Sequence, residues 1–271
     1  MISVITAVHN QLAVNRIFWE NLKRNTRSPF ELIIVDNAST DDSAAFFESV
    51  GATVIRNREN WSYPVSQNQG IAIARHDWLG FLNNDIIVSP GWDERLMASM
   101  QANELEAATV CGIEQIETAA ATRRLKKRWN AIKNTLSLFS KSEDNLRRMH
   151  RWMYPDWAGF CADRAERFKG QVKEGFVGNT VMLRRSSFDK IGLWDERVQA
   201  ADFDLYLRSK ARSLSHRDIR PVHIALDSFV HHYIRLTLNA GYPPFADLDQ
   251  LISLEEKWPA EQRAWLNALN K

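Results

Sequence analysis

Cysteine is scarce: Cys111 and Cys161 are the only two in 271 residues, and their contexts are unrelated. That excludes both a disulfide framework and a metal knuckle, and leaves two thiols expected to be buried. Gly (11) and Pro (8) are few against 45% hydrophobic residues, which excludes collagenous, low-complexity and wholly disordered classes. No apolar run approaches the roughly 18 to 20 residues that span a bilayer. Met1 leads straight into an apolar, strand-like segment with no basic region or cleavage site, so the chain is expected in the cytoplasm. Also missing are a P-loop, a G-x-G-x-x-G after the first strand, a G-x-S-x-G elbow and an H-E-x-x-H helix. Neither an internal repeat nor a flexible linker is visible.

An excess of one charge is lacking too, with 35 Lys and Arg against 33 Asp and Glu. The near-balance hides an uneven distribution. From Arg123 to Arg151 ten basic side chains stand against two acidic ones, a local charge of +8, which leaves −6 for the rest. A basic segment is set into an acidic body.

The first hundred residues alternate short β-branched runs with longer amphipathic stretches, the pattern of a parallel sheet covered by helices. Strands are expected at 2–8, 31–36, 52–56 and 78–82, with helices at 12–25, 41–49 and 66–75. Each strand is nearly continuously apolar, as burial on both faces requires. Polar residues gather directly after them: His9 and Asn10, Asp36 to Asp42, Asn57 to Asn60, and Asn83 to Asp85. In open α/β sheets ligands bind beyond the carboxyl ends of the strands, so these clusters are expected to converge on one cleft. The plain alternative is turn and N-cap chemistry, which suits Ser39 to Asp42 well.

Beyond residue 113 the pattern changes. Leu125, Trp129, Ile132, Leu136 and Phe139 recur at helical spacing opposite the basic residues. An aromatic-rich stretch follows at 150–168. Strands are expected within 176–184 and 220–230, helices at 186–191 and 202–212, and one or two helices within 245–271, with Pro259 at a helix start. The stripe admits two readings: it rests on a membrane while its Lys and Arg contact anionic lipid or a lipid-linked pyrophosphate, or it packs on the protein's own core. Trp152, Tyr154 and Trp157 are candidates for stacking on sugar rings or for core packing.

Asp36 can accept hydrogen bonds from a nucleobase or ribose hydroxyl. Asp85 is a hard oxygen ligand placed where a divalent cation and a diphosphate could meet. Asp202 and Asp204 open a helix, where a carboxylate is either catalytic or an ordinary cap. His231 and His232 follow an apolar strand, where imidazole can complete a metal site.

In joint order, SVITAVHN (3–10), ELIIVDNASTDDS (31–43), RNRENWSYPVSQNQGIAIAR (56–75), WLGFLNNDIIVSPGW (78–92), GNTVMLRRSSFDKIGLWDE (178–196), DFDLYLR (202–208) and VHHYIRLT (230–237) resemble the inverting family-2 glycosyltransferases of the GT-A fold. That resemblance implies an α/β fold: a single Rossmann-like domain at 1–240 with a mostly parallel central sheet. It divides into a nucleotide-sugar half (1–112), a helical basic insertion (113–175) and an acceptor and catalytic half (176–240), with C-terminal helices at 241–271. It implies donor contacts from Ala7, His9, Asp36, Asn60, Asn68, Asn84 and Asp85, and Mn²⁺ or Mg²⁺ held by Asp85 and His232, with His231 the alternative. It implies Asp202 as general base, and Trp157 and Asp204 are assigned to the acceptor side.

The implied reaction moves a sugar, from a UDP-sugar by preference, with inversion to a hydroxyl of a saccharide or lipid-linked saccharide. Surface polysaccharide synthesis at the inner face of the membrane is the expected setting, and nucleic acid is not an expected partner. Three positions depart from the family pattern: Ala201 stands where Glu usually precedes the base, Ala7 to Asn10 replace the usual end of the first strand, and Asn83-Asn84-Asp85 offers one carboxylate in place of two. Competing readings are a sugar nucleotidyltransferase, a catalytically inactive transferase-like module, and a nucleic-acid-binding protein recruited through the +8 segment.

Overall fold

The computed structural model describes residues 1–138, 140, 142–234 and 243–268. Phe139 of the apolar stripe, Lys141 of the basic count and the 235–237 end of the last motif lie outside them. The chain opens with β1 (Ile2–Val8), α1 (Leu12–Asn25), β2 (Phe30–Asn37), α2 (Ser43–Ser49), β3 (Thr53–Asn57), α3 (Tyr63–Ile73) and β4 (Trp78–Leu82). Next come β5 (Ile86–Val88), α4 (Trp92–Ala102) and β6 (Ala107–Cys111), then three helices, α5 (Ala119–Leu136), α6 (Glu143–Met153) and α7 (Trp157–Arg167). The rest comprises β7 (Val172–Glu174), β8 (Thr180–Arg184), α8 (Phe188–Ile191), α9 (Ala201–His216), β9 (His223–His232), α10 (Leu254–Lys257) and α11 (Ala260–Ala268).

Among the described residues the strands form one mixed sheet in the order β3-β2-β1-β4-β8-β6-β9-β5, with β7 on β9. The β3-β2-β1-β4 block is parallel, β8 runs antiparallel to both β4 and β6, and β6 and β9 pair in parallel. This is the α/β architecture with a central sheet expected for the GT-A fold. Its parallel order is concentrated in the first half.

Alternation along the strands explains the layering. Ile2, Val4, Ile34 and Leu82 belong to a core shared with α1 and α4, whereas Ile5, Ile33 and Phe81 belong to one shared with α3 and α9. Both faces are thus covered, which is why these strands read as unbroken apolar runs. Helix α3 lies so close to β1 that a Cβ on Gly70 would come within 2.3 Å of Ile5 Cγ2. Only glycine allows that approach.

A third core lies between α5 to α7 and β9. Trp129 and Leu136 are buried, and Leu125 and Ile132 pack on the same cluster. The apolar stripe therefore faces the protein's own interior, and the reading in which it rests on a membrane is corrected on that ground. No helix among the described residues is long and apolar enough to cross a membrane. The strand expected over 176–184 begins only at Thr180, because Gly175 (φ 136°) and the residues up to Asn179 form a loop.

Candidate functional site

Three strand ends meet where the polar clusters were expected. A cavity of about 540 Å³ is lined by His9 to Gln11 after β1, Ala38 and Thr40 after β2, Arg58 to Asn60 after β3, and Pro243, Pro244 and Ala246 from the C-terminal segment. A second, of about 290 Å³, shares His9 and Asn60 with it and adds Ala7, Asn37, Tyr63, Asn84 and Gln199 among its walls. Together they make one cleft across the carboxyl edge of the sheet.

The rim is strained and tied down. Asn10 (φ 56°), Gln11 (φ 72°) and Ala38 (φ 57°) all take left-handed backbone conformations, which cost a non-glycine residue of order 1 kcal/mol or more. Side-chain bonds hold them there. The Asn10 Oδ1 accepts from the amides of Thr40 (2.7 Å) and Asp41 (3.2 Å), and the Asn10 amide donates to Ser39 Oγ (2.7 Å). Asn15 donates to the Asn10 carbonyl at 3.0 Å and to Ser43 Oγ at 2.8 Å, and accepts from Asn84 at 2.7 Å. His9 Nδ1 lies 2.6 Å from the Asn37 carbonyl, so that nitrogen carries the proton. Asp41 receives the amides of Leu12 and Ser43 at the starts of α1 and α2, so the capping reading holds for that residue.

The expected donor residues separate into two groups. Ala7, His9, Asn60 and Asn84 line the cleft. Asp36 is buried at the end of β2, where its Oδ2 accepts from Ser39 at 3.3 Å and its Oδ1 has no hydrogen-bond partner among the described residues. Asn68 is corrected: its amide is spent on the 194–196 loop, bonding the Trp194 carbonyl and Glu196 at 2.9 Å each and the Trp194 amide at 3.2 Å. It braces α3 and presents nothing to the cleft.

Asp85 and His232 come together through sheet register. Ile86 pairs with His232 across β5 and β9, and the Tyr233 amide donates to the Asp85 carbonyl at 2.9 Å. His232 Nε2 thereby stands 3.1 Å from Asp85 Oδ1, while Nδ1 bonds Glu114. Burial opposes charge on this imidazole, but the two flanking carboxylates outweigh it and push it up to about 10. At neutral pH the ring is therefore protonated on both nitrogens, and it joins Asp85 as a donor set for a divalent cation only when the ion displaces the Nε2 proton. No group of three or more His, Cys, Asp or Glu is gathered for an ion among the described residues. Further ligands would be diphosphate oxygens and water.

His231, one residue earlier on the strand, points to the opposite face. It is fully buried among Trp129 (4.7 Å between ring centres), Tyr233 (4.7 Å), His150 (5.2 Å) and Tyr154 (5.4 Å), and burial holds its titration well below the ordinary imidazole value. The alternative ligand is therefore corrected to a core residue.

Asp202 sits in the first turn of α9 without capping it. Its carboxylate lies against Gly178, where a Cβ would come within 2.3 Å of Oδ2. Oδ1 is enclosed with no hydrogen-bond partner among the described residues, and burial raises the carboxyl to about 7. The same negative charge adds to burial in raising the Tyr63 hydroxyl.

Both residues assigned to the acceptor side are engaged in packing, Asp204 fully buried and Trp157 partly so. Asp204 is fully buried and bonds Arg208 (2.7 Å), Lys257 (2.5 Å) and the Trp258 indole (2.8 Å), fastening α9 to α10. Trp157 packs among Tyr154, Phe160 and Phe229.

Glu114, Tyr63 and Gln199 escaped the sequence reading. Glu114 occupies the turn after β6, closed by paired Gly112 and Gln115 backbone bonds. The rule that polar residues follow strands would have found it had AATVC been recognised as a strand.

Residues 3–192 match the family model described as "Glycosyl transferase family 2". An uncharacterized glycosyltransferase of Bacillus subtilis, YwdF, is 25% identical over 211 residues, covering 77% of this chain and 67% of its own. The succinoglycan biosynthesis protein ExoU of Rhizobium meliloti is 26% identical over 196 residues, 70% of this chain and 51% of its own. A solved mannosyltransferase from Pyrobaculum calidifontis, in complex with GDP-Man and Mn²⁺, aligns with TM-score 0.48 at 15% identity, covering 82% of this chain and 56% of its own. The chain spans between 29% and 67% of the lengths of the curated relatives it matches.

Proposed function

We propose that this chain, which belongs to glycosyl transferase family 2, transfers a sugar with inversion from a nucleotide-diphospho-sugar, a UDP-sugar by preference, to a saccharide or lipid-linked saccharide hydroxyl. The observation that carries this reading is the carboxylate of Asp202, which lies against Gly178 with one oxygen enclosed and without a hydrogen-bond partner among the described residues, and which burial raises to about 7. A base is most effective when its pKa lies near the working pH, and such a group contributes typically 10²- to 10⁴-fold.

The acceptor oxygen bonds to the anomeric carbon as the bond from that carbon to the diphosphate oxygen breaks. Its proton passes to Asp202, and the electron pair of the broken bond leaves with the diphosphate. One base and one leaving group make a single displacement with inversion, whereas a glycosidase would need two cooperating carboxylates and no nucleotide cleft.

The donor nucleotide would lie across His9, Asn10 and Asn60, on a rim held rigid by the Asn10 and Asn15 bonds. Asp85 and His232 would hold Mn²⁺ or Mg²⁺, which supplies neutralisation of the charge growing on the departing diphosphate. Glu114 fixes His232 through Nδ1 and so keeps Nε2 turned toward Asp85. A role in surface polysaccharide synthesis is supported by the relative named for succinoglycan biosynthesis.

Two measurements test the reading. UDP, GDP and dTDP are screened for thermal stabilisation with and without Mn²⁺; at least one is expected to raise the melting temperature, and no shift from any removes the donor site. Asp202→Asn is expected to lose 10²- to 10⁴-fold in transfer while keeping that nucleotide shift. Undiminished transfer by the variant means that Asp202 is not the base.

A further inference from the structure

Helix α1 buries Val14, Ile17, Phe18 and Leu22, as a helix covering a sheet should, and among them it buries a polar residue that no motif singles out. Asn15 is wholly enclosed. Its NH₂ group donates to the Asn10 carbonyl at 3.0 Å and to Ser43 Oγ at 2.8 Å, and its carbonyl accepts from Asn84 at 2.7 Å. These partners set the orientation of the carboxamide. Reversed, it would turn its oxygen on the Asn10 carbonyl and its NH₂ on that of Asn84. A polar group this deep is tolerated because its bonds are made.

The three partners belong to three different strand ends. Asn10 follows β1 and lines the larger cavity of the cleft, Ser43 opens α2 after β2, and Asn84 follows β4 and lines the smaller cavity. The bond to Asn10 falls on a residue held at φ 56°, whose own side chain carries the amides of Thr40 and Asp41. Thr40 lines the larger cavity as well. One N–H of Asn84 is spent on Asn15, which fixes how that carboxamide is turned beside its sequence neighbour Asp85. A single buried side chain that lines neither cavity therefore ties a wall of one to a wall of the other.

We propose that Asn15 is a positioning residue for the donor: from beneath the cleft it sets the spacing between the part that receives the nucleoside and the part beside Asp85 that receives the diphosphate. The proposal rests on the donor site of the glycosyl-transfer reading. A ligand that spans both parts gains from their fixed spacing, because binding of one end presents the other at high effective concentration. A fragment that fills one part alone gains nothing from it. Asn15 is thus expected to matter for a whole nucleoside diphosphate and little for the nucleoside. A residue that only supports the fold would weaken both alike.

The test is titration calorimetry on the full chain with UDP, GDP and dTDP, each with Mn²⁺, beside saturation-transfer NMR with uridine, guanosine and thymidine. Asn15→Leu, similar in shape and unable to hydrogen-bond, is expected to lose about tenfold in affinity for whichever of the three nucleotides the parent binds, and to hold the matching nucleoside within about twofold. In a chain that already carries Asn84→Ala, the loss on adding Asn15→Leu is expected to shrink, since one of the walls it joins is already released. Asn15→Ser, which leaves room for water at the freed partners, gives the same comparison where the leucine variant does not fold. Parent-like nucleotide affinity in a folded variant, an equal loss for nucleoside and nucleotide, or a loss untouched by Asn84→Ala overturns the proposal. Failure of both variants to fold overturns it too, by assigning Asn15 to support of the fold. A parent that binds none of the three nucleotides removes the donor site itself, and the positioning role with it.

Discussion

His231 and His232 are neighbours on β9, yet they belong to two different regions of the molecule. On one face His232 stands between two carboxylates, one of them Asp85, the sequence neighbour of the cleft-lining Asn84. On the other face His231 is enclosed by rings from the α5 to α7 segment. The same side chain is pushed up to about 10 in one setting and far down in the other. The chemistry of a residue is therefore assigned by the face it occupies, and the period of two along a strand makes that assignment sharp. The contrast also separates what stabilises from what reacts: the aromatic side is a packed core, whereas the cleft side stores backbone strain and the enclosed carboxylate of Asp202.

The largest way to break the contrast is to hollow out the aromatic side. Trp129→Ala is expected to cost about 3 to 5 kcal/mol in denaturant unfolding, with nucleotide affinity unchanged at temperatures where the variant is folded. A parallel loss of nucleotide affinity would mean that the helical segment also sets the cleft.

A second prediction concerns the enclosed carboxylate in the first turn of α9. Asp202 is raised from 3.8 to about 7 in the fold, so between those pH values the folded chain binds more protons at this site than the unfolded one. Its contribution to stability is favourable at low pH, falls as pH rises from about 4 to 7, and is constant above that. Asp202→Asn lacks this loss and is expected to be more stable than the parent by roughly 1 to 3 kcal/mol at pH 8, and equal to it near pH 4. Identical stability profiles for the two proteins would mean that the carboxyl is well solvated.

The smallest effect compares the two histidines directly. His232→Ala is expected to reduce Mn²⁺-dependent nucleotide binding by about tenfold or more. His231→Phe is expected to leave it untouched and to hold or raise the melting temperature, since a buried polar ring with no hydrogen-bond partner among the described residues is replaced by an apolar one. Titration calorimetry on both variants decides it, and equal losses would erase the distinction between the faces.

Much of this arrangement was readable from residue order alone. Continuous apolar runs at 2–8 and 78–82 announced doubly covered strands, and the polar residues after them marked the cleft, because a strand's end is where its last side chains leave the core. Helical spacing located α5, whose stripe could be drawn but not aimed: packing on β9, a partner more than 80 residues distant in sequence, decided that it faces inward. Short β5 and β6 carried too little pattern to be seen, and with β6 went Glu114.

What the sequence determined by itself was the identity of the chemical groups, the alternation of elements and the family they spell, since these depend on local periodicity and motif order. Only the tertiary structure decided which of two histidines meets Asp85, that Asn68, Asp204 and Trp157 brace the fold, and that the Asp202 carboxylate lies against Gly178. Each of those outcomes depends on strand register and close approach between distant segments, and a one-residue shift in register would have reversed the two histidines.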